Sequence, residues 1–337
     1  MLYSISVADF RGIKGLNKPL ELSKFTVLVG PSGSGKTSLL ESLFLVPPLN
    51  TFIPLVHITK AEVLGGKHRL CPSLVYRYRG IAKLWGELKR KNFEFLLKCE
   101  SKAGWPEVSG MMGNIAVDLP REGMTTDTEE IDEIAERLEL ELEVHPSNIN
   151  VYIPNSLHFL ALLEKELAKE DKWTIVERSG LSVKAVQELI DKGSLNERYT
   201  DITIRRTNLA LRKETPRTVT YVYLYDLGEG LARLLLNRIY LEIAKPSIVL
   251  WDMVEAGLSP SLVRLLLDFL FSGEWQVVLT THSLDVLRYI AFSQKNGVKV
   301  IQLSKGVDDT VKLKEISTSE LAELLNKGID PRHTVLT

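Results

Sequence analysis

The chain has 337 residues, 45% of them hydrophobic and 25% charged, with a formal net charge of −1; this suits one large α/β domain with insertions or two small domains and excludes a disordered or fibrous chain. Near-neutral charge gives no general attraction to nucleic acid, so binding of that kind needs a local basic patch. No apolar run reaches the ~20 residues needed to cross a bilayer, and Met1 to Ala8 has no basic segment ahead of an apolar one, so a cytoplasmic protein without a membrane partner is expected. The two cysteines, Cys71 and Cys99, have neither CxxC nor histidine-partner spacing, and are expected as ordinary thiols. Glutamine is sparse beside abundant lysine and glutamate, a balance that leans towards a thermophile.

Tyr3, Ile5 and Val7 alternate with Leu2, Ser4 and Ser6, Phe10-Arg11-Gly12 follows, and Phe25 to Val29 is an apolar run of buried-strand type. Gly30-Pro31-Ser32-Gly33-Ser34-Gly35-Lys36-Thr37 is then a complete phosphate-binding loop, followed by Ser38 and a helix-like run from Thr37 to Leu45. Glycines at 30, 33 and 35 let the backbone turn tightly, so that successive N–H groups point at a phosphate from the helix N-terminus. Lys36 would reach the β- and γ-phosphates, and the Thr37 hydroxyl would ligate Mg²⁺. The chain is therefore expected to bind a nucleoside triphosphate, and Pro47-Pro48 ends the helix.

From Arg69 to Pro120, short alternating runs such as Ala82 to Trp85 and Phe93 to Phe95 are broken by glycines and predict a small antiparallel β-lobe. Residues 127 to 137 are acidic and helix-like, while Leu138 to Val144 alternates strictly and predicts a half-buried strand. A short strand at Asn150 to Ile153 and two or three helices from Leu157 to Lys192 follow. Two further strands, Thr200 to Arg205 and Thr218 to Tyr225, are expected to return the chain to the nucleotide-binding body. The remainder alternates: helix Glu229 to Ala244, strand Ser247 to Trp251, helix Pro260 to Phe271, strand Gln276 to Thr280, helix Leu284 to Ala291 and strand Val298 to Leu303. That order predicts an α/β fold with a parallel sheet flanked by helices.

Two of the apolar strands after the phosphate loop end in a residue with chemistry. Ile248 to Trp251 leads to Asp252, placing a carboxylate at the carboxyl edge of the sheet, where it can hold Mg²⁺ or its waters. Val277 to Thr280 leads to Thr281-His282-Ser283, and His282 there could donate to a γ-phosphate or orient an attacking water.

Taken as a set, Phe10-Arg11-Gly12, the loop at 30 to 38, Leu227-Gly228-Glu229-Gly230-Leu231, Trp251-Asp252 through Glu255-Ala256-Gly257-Leu258-Ser259-Pro260, and Thr280-Thr281-His282-Ser283 resemble the ABC-type AAA ATPases. That group includes RecF, SMC-like heads and the ATPase half of OLD-family nucleases. The resemblance implies ATP and Mg²⁺ as ligands and a P-loop NTPase fold with a mixed or parallel sheet. It also implies a single head over residues 1–337, with a discontinuous core at 1–60 and 200–337 and an inserted β-lobe and helical lid at 61–199. Leu227, Gly228, Glu229 and Gly230 stand at the signature motif, which in such heads contacts the γ-phosphate held by a second subunit. An ATP-dependent homodimer is the implied assembly.

Two departures from the family pattern matter. Met253 occupies the position after the strand-end aspartate where the family usually has a glutamate base, and a thioether cannot accept a proton at neutral pH. Glu255, two positions on, is the candidate replacement, and Ser259 stands where the family favours histidine. Slow hydrolysis is expected. The insertion is too short for SMC arms, no CxxC hook exists, and fewer than ~60 residues follow the His282 strand, so no nuclease domain is expected. Asn326-Lys327-Gly328-Ile329-Asp330 has one residue too many for a guanine reader.

Ile175 to Lys192, broken by Gly180, resembles a helix-turn-helix, but Lys184, Gln187, Glu188 and Asp191 make a poor basic face. Arg205, Arg206, Arg212, Lys213 and Arg217 form a denser basic stretch, a candidate for DNA phosphate contacts. The expected role is a switch or motor in DNA repair and maintenance or in defence against foreign DNA. A nearly non-hydrolysing ATP sensor regulating a separate effector or nuclease protein is a second use, and a P-loop small-molecule kinase a third.

Overall fold

The computed structural model describes residues 1–65, 70–78, 80–99, 104–120, 129–192, 195, 198–293 and 295–333. The chain begins with β1 (Leu2–Phe10), β2 (Ile13–Leu16), β3 (Leu20–Glu21), β4 (Phe25–Val29) and α1 (Lys36–Phe44). Helices α2 (Lys60–Gly65) and α3 (Leu70–Leu74) lead to a meander of β5 (Gly80–Leu88), β6 (Lys91–Cys99), β7 (Glu107–Met112) and β8 (Ile115–Leu119). Then come α4 (Glu129–Leu142), β9 (Asn150–Ile153), α5 (Leu157–Leu167), α6 (Glu170–Arg178) and α7 (Leu181–Asp191). After them stand β10 (Tyr199–Arg205), β11 (Asn208–Glu214), β12 (Val219–Tyr223) and α8 (Glu229–Ala244). The last part holds β13 (Ile248–Trp251), α9 (Pro260–Ser272), β14 (Gln276–Thr280), α10 (Leu284–Phe292), β15 (Val298–Lys305), β16 (Thr310–Ile316) and α11 (Thr318–Asn326).

A 13-stranded mixed sheet has the order β8-β7-β6-β5-β1-β2-β16-β15-β4-β14-β13-β9, with β3 paired to β1. Its β15, β4, β14, β13 and β9 run parallel. Every residue of β4, β9, β13 and β14 is buried, as strands covered by helices on both faces require. Their register aligns Leu28 with Thr280 and Leu279 with Trp251. Gly30, Thr281 and Asp252 therefore leave the sheet at one carboxyl edge, where ligands bind in open α/β sheets. The β5–β8 meander is antiparallel, as expected, and extends this same sheet by pairing β5 with β1 from Leu2↔Leu88 to Ala8↔Lys83.

Several expectations need correction. Leu138 to Leu142 belongs to α4, not to a strand. Ile131, Ile134, Ala135, Leu138 and Leu142 share one helical face and are buried, while Leu140, the residue that created the alternation, is 84% exposed. The first two residues of the acidic stretch 127–137 lie outside the described ones. Strands β10 and β12 do not rejoin the central sheet; with β11 between them they form a separate three-stranded antiparallel sheet. Tyr225 lies beyond β12, in a 3₁₀ turn over Leu224–Leu227. Cys71 and Cys99 are not separate thiols but form a disulfide between α3 and β6, a pairing that depends on tertiary placement and that spacing alone does not reveal. Finally, β16 and α11 follow the last expected strand.

Candidate functional site: a phosphate-loop cleft

The cleft is about 310 Å³ and is lined by Gly12, Ser32, Gly33, Gly35, Lys36, Thr37, Ser38, Asp252, Met253, Thr280, His282 and Lys305. The loop is held close to β15: a Cβ on Gly30, whose φ is 147°, would lie 2.3 Å from the Leu303 carbonyl oxygen, so only glycine permits the approach. Lys36 Nζ donates to the carbonyls of Gly30 at 2.8 Å and Pro31 at 2.9 Å, with Ser34 Oγ at 3.4 Å. Burial pushes the Lys36 ammonium down to about 8, against the opposing charges of Asp252 and Glu255. An anion in the cleft would supply the missing countercharge. Arg11 reaches from the β1–β2 turn to an ion pair with Glu41 of α1 at 2.5 Å, both side chains buried, and so ties the turn that carries Gly12 to the helix after the phosphate loop.

Thr37 and Asp252, 215 positions apart, meet at the loop: Thr37 Oγ1 donates to Asp252 Oδ1 at 3.0 Å. Thr280 Oγ1 donates to the same oxygen at 2.8 Å and accepts from the Met253 N–H at 2.8 Å. A hydroxyl beside a carboxylate is a hard-oxygen pair of the kind that suits Mg²⁺. Thr37 and Asp252 would hold that ion, which when bound neutralises phosphate charge.

Met253 faces the cleft with φ at 51°, a strained conformation for a side chain with a Cβ. Its sulfur accepts from Asn155 Nδ2 at 3.3 Å, and Asn155 Oδ1 accepts from buried Arg233 Nη1 at 2.6 Å. Arg233 also donates to the carbonyls of Pro154 at 3.2 Å and Asp252 at 3.4 Å. Asn155 and Arg233 were not singled out in the sequence. Asn155 lies two residues beyond β9, the edge strand beside β13, and that neighbourhood is invisible until the strands are ordered.

Glu255 is not among the residues lining the cleft. Its Oε1 accepts the His282 N–H at 2.7 Å and its Oε2 accepts from Thr281 Oγ1 at 2.9 Å. Both oxygens thus hold the turn that carries His282. Burial lowers the His282 pKa, helped by Lys36 and Arg332 and opposed by Glu255 and Asp252.

Leu227, Gly228, Glu229 and Gly230 do not line this cleft. Leu227 is half-buried, Gly228 and Glu229 are exposed, and Gly230 is buried. Gly228 precedes α8 with φ 104° and no side-chain cap, which leaves the helix's first N–H groups open to an outside acceptor. In the separate sheet, Arg205 stacks on Tyr221 at 3.6 Å, Lys213 lies over Tyr199 at 5.1 Å, and Arg212 pairs with Glu214 at 2.6 Å.

The strand order gives the chain the fold of the solved Smc head domains. Residues 129–288 match the family model described as "AAA domain, putative AbiEii toxin, Type IV TA system". An Smc head bound to the C-winged helix domain of ScpA has a TM-score of 0.56 at 15% identity, over 97% of this chain and 99% of that one. A Pyrococcus furiosus Smc head with an extended coiled coil, bound to the C-terminal domain of ScpA, has 0.56 at 14%, over 97% and 99%. A Pyrococcus yayanosii Smc head with a coiled coil and joint has 0.58 at 10%, over 97% and 100%. No curated protein matches the chain by sequence. Among the described residues, no helix is long and apolar enough to cross a membrane.

Proposed function

We propose that this chain binds ATP·Mg²⁺ in the phosphate-loop cleft, hydrolyses it slowly, and dimerises on it as a cytoplasmic switch in DNA maintenance or in defence against foreign DNA. The observation that carries the reading is the meeting of Thr37 with Asp252 beside a buried Lys36 whose ammonium, among the described residues, has loop carbonyls and Ser34 Oγ as its hydrogen-bond partners. Lys36 and the loop N–H groups bind the triphosphate, and His282 donates to the terminal phosphate or orients the attacking water. The exposed Gly228 turn contributes α8 N–H groups to a nucleotide held by a second copy, where a helix N-terminus favours an anion. Like the Smc heads crystallised with ScpA, the head would also take a separate protein partner.

The test is the size of the protein with and without ATP·Mg²⁺, measured while phosphate release is counted, with Lys36→Ala as control. Doubling of mass together with slow release that Lys36→Ala abolishes is expected. A monomer under both conditions would sink the dimer, and release equal to that of Lys36→Ala would sink hydrolysis.

A second reading, an ATP sensor that scarcely hydrolyses and controls an effector protein, draws support from Met253 in the cleft and from both Glu255 oxygens being engaged. ATP binding with turnover indistinguishable from Lys36→Ala would favour it. DNA contact through Arg205, Arg206 and Arg212 is weakened as a proposal by the stacking of Arg205 and the pairing of Arg212; salt-dependent retention of duplex, lost on neutralising the three, is its test.

A further inference from the structure

After α11 the chain turns at Gly328, whose φ is 71°, and residues 330–333 come back to the sheet beside the nucleotide cleft. The Pro331 carbonyl accepts from Nε2 of Gln302 at 2.7 Å. Gln302 is buried in β15 and paired with Val29, the last residue before the phosphate loop. Asp330 then grips Arg332: its Oδ1 accepts from the Arg332 backbone N–H at 2.9 Å and from Nε at 2.8 Å, and its Oδ2 accepts from Nε at 3.1 Å and from Nη2 at 2.5 Å. Nη1 is left to point elsewhere, and it donates to the His282 carbonyl.

The His282 backbone is therefore gripped on both sides by charged groups, one at each of its two peptide units. Its N–H goes to the Glu255 carboxylate and its C=O to the Arg332 guanidinium. Charge-assisted bonds of this kind are roughly twice as strong as neutral ones. Among the described residues the imidazole itself makes no hydrogen bond, so the backbone clamp and the Ser283 cap of α10 set where the ring lies.

We infer that Arg332 is a positioning residue which, with Glu255, fixes the backbone on either side of His282 so that the imidazole faces the terminal phosphate. This rests on the proposed ATP chemistry, and it gives Glu255 a holding role in place of a proton-accepting one. The clamp links the segment after α11 to the cleft without touching the nucleotide.

The experiment uses the full chain and two readouts. In the nucleotide-free protein, hydrogen exchange of the 281–286 amides should be about tenfold faster in Arg332→Ala, and Arg332→Lys, which keeps one donor, should recover part of the protection. In turnover, kcat should fall about tenfold in Arg332→Ala while KM for ATP changes less than about twofold. In a His282→Ala background the same substitution should have no further effect on kcat. Unchanged exchange overturns the inference, as does a full additive loss in the His282→Ala background. If the wild-type chain shows no Lys36-dependent turnover, the proposed function fails, and the exchange measurement still decides the clamp.

Discussion

Gly230 and Gly257 meet backbone to backbone: a Cβ on Gly230 would lie 1.8 Å from the Gly257 carbonyl oxygen. The first turn of α8 and the loop after Asp252 are thus packed at the limit of contact. Gly230→Ala must push the two segments apart, and overpacking of this sort costs about 1–3 kcal/mol. Thermal unfolding of the nucleotide-free protein should show it as a lower melting temperature; an unchanged one would mean the loop yields freely. Loss of activity on altering Gly230 therefore says nothing by itself about a subunit seam. Gly228 has open space around a Cβ, but its φ of 104° strains any other residue, so a substitution there also needs the melting temperature as a control.

Met253 lines the cleft, with its N–H held by Thr280 and its sulfur by Asn155. Met253→Glu keeps the backbone bond and places a carboxylate where a water could be deprotonated. General bases contribute about 10²–10⁴-fold, so phosphate release should rise at least about tenfold with ATP affinity little changed. A rate at or below that of the native chain would count against Met253 as the cause of the slow turnover we propose.

Lys60 is 1% exposed, and its ammonium donates to the Phe44 carbonyl at 2.9 Å and the Pro47 carbonyl at 3.1 Å, over the Phe44 ring. Burial lowers its pKa from 10.5 to about 7. Below about pH 7 both folded and unfolded chains carry the proton. Between there and 10.5 the unfolded chain binds more protons, so stability rises with pH by up to about 1.4 kcal/mol per unit. Urea unfolding at about pH 7.5 and about pH 9.5 should show this rise in the native chain and a smaller one in Lys60→Met, where Lys36, lowered to about 8, still contributes. Equal slopes in the two proteins would contradict the shift.

The Cys71–Cys99 disulfide spans a sequence separation of 28 and ties α3 to β6. Closing a loop of that size is worth about 3.5 kcal/mol in the chain-entropy view. Reductant should lower the melting temperature of the native chain and leave that of Cys71→Ala/Cys99→Ala, already lower, unmoved. A native melt indifferent to reductant would remove the bond from the account of stability. Such bonds are rare in the cytosol outside hyperthermophiles, so the same measurement bears on the proposed compartment.

Much of the central fold was readable because its signals are local. Phe25 to Val29 is apolar throughout, the glycine-rich loop follows at once, and the observed strand and helix bracket that loop. Glu229 to Ala244 and Gln276 to Thr280 were read at their observed limits. Where two periodicities competed, local reading failed: Leu138, Leu140 and Leu142 alternate as a strand would, and only burial of the shared face with Ile131 and Ile134 decided for α4. The separate β10–β12 sheet was missed for a related reason, since strand pattern carries no record of which sheet a strand joins.

The candidate site divides the same way. Which residue types were present, a loop lysine, a strand-end aspartate, a strand-end histidine and a methionine in a base's place, was determined by the sequence alone, because each sits at a fixed offset from an apolar run. Which of them touch was decided by the order β15-β4-β14-β13-β9, since that order brings carboxyl ends of strands far apart in the chain to one edge. Glu255 turning towards the His282 peptide, Asn155 reaching Met253 and Arg332 returning to the His282 carbonyl all follow from that convergence. Hydrogen bonds act over about 3 Å, and no spacing in a linear chain encodes a distance of that kind.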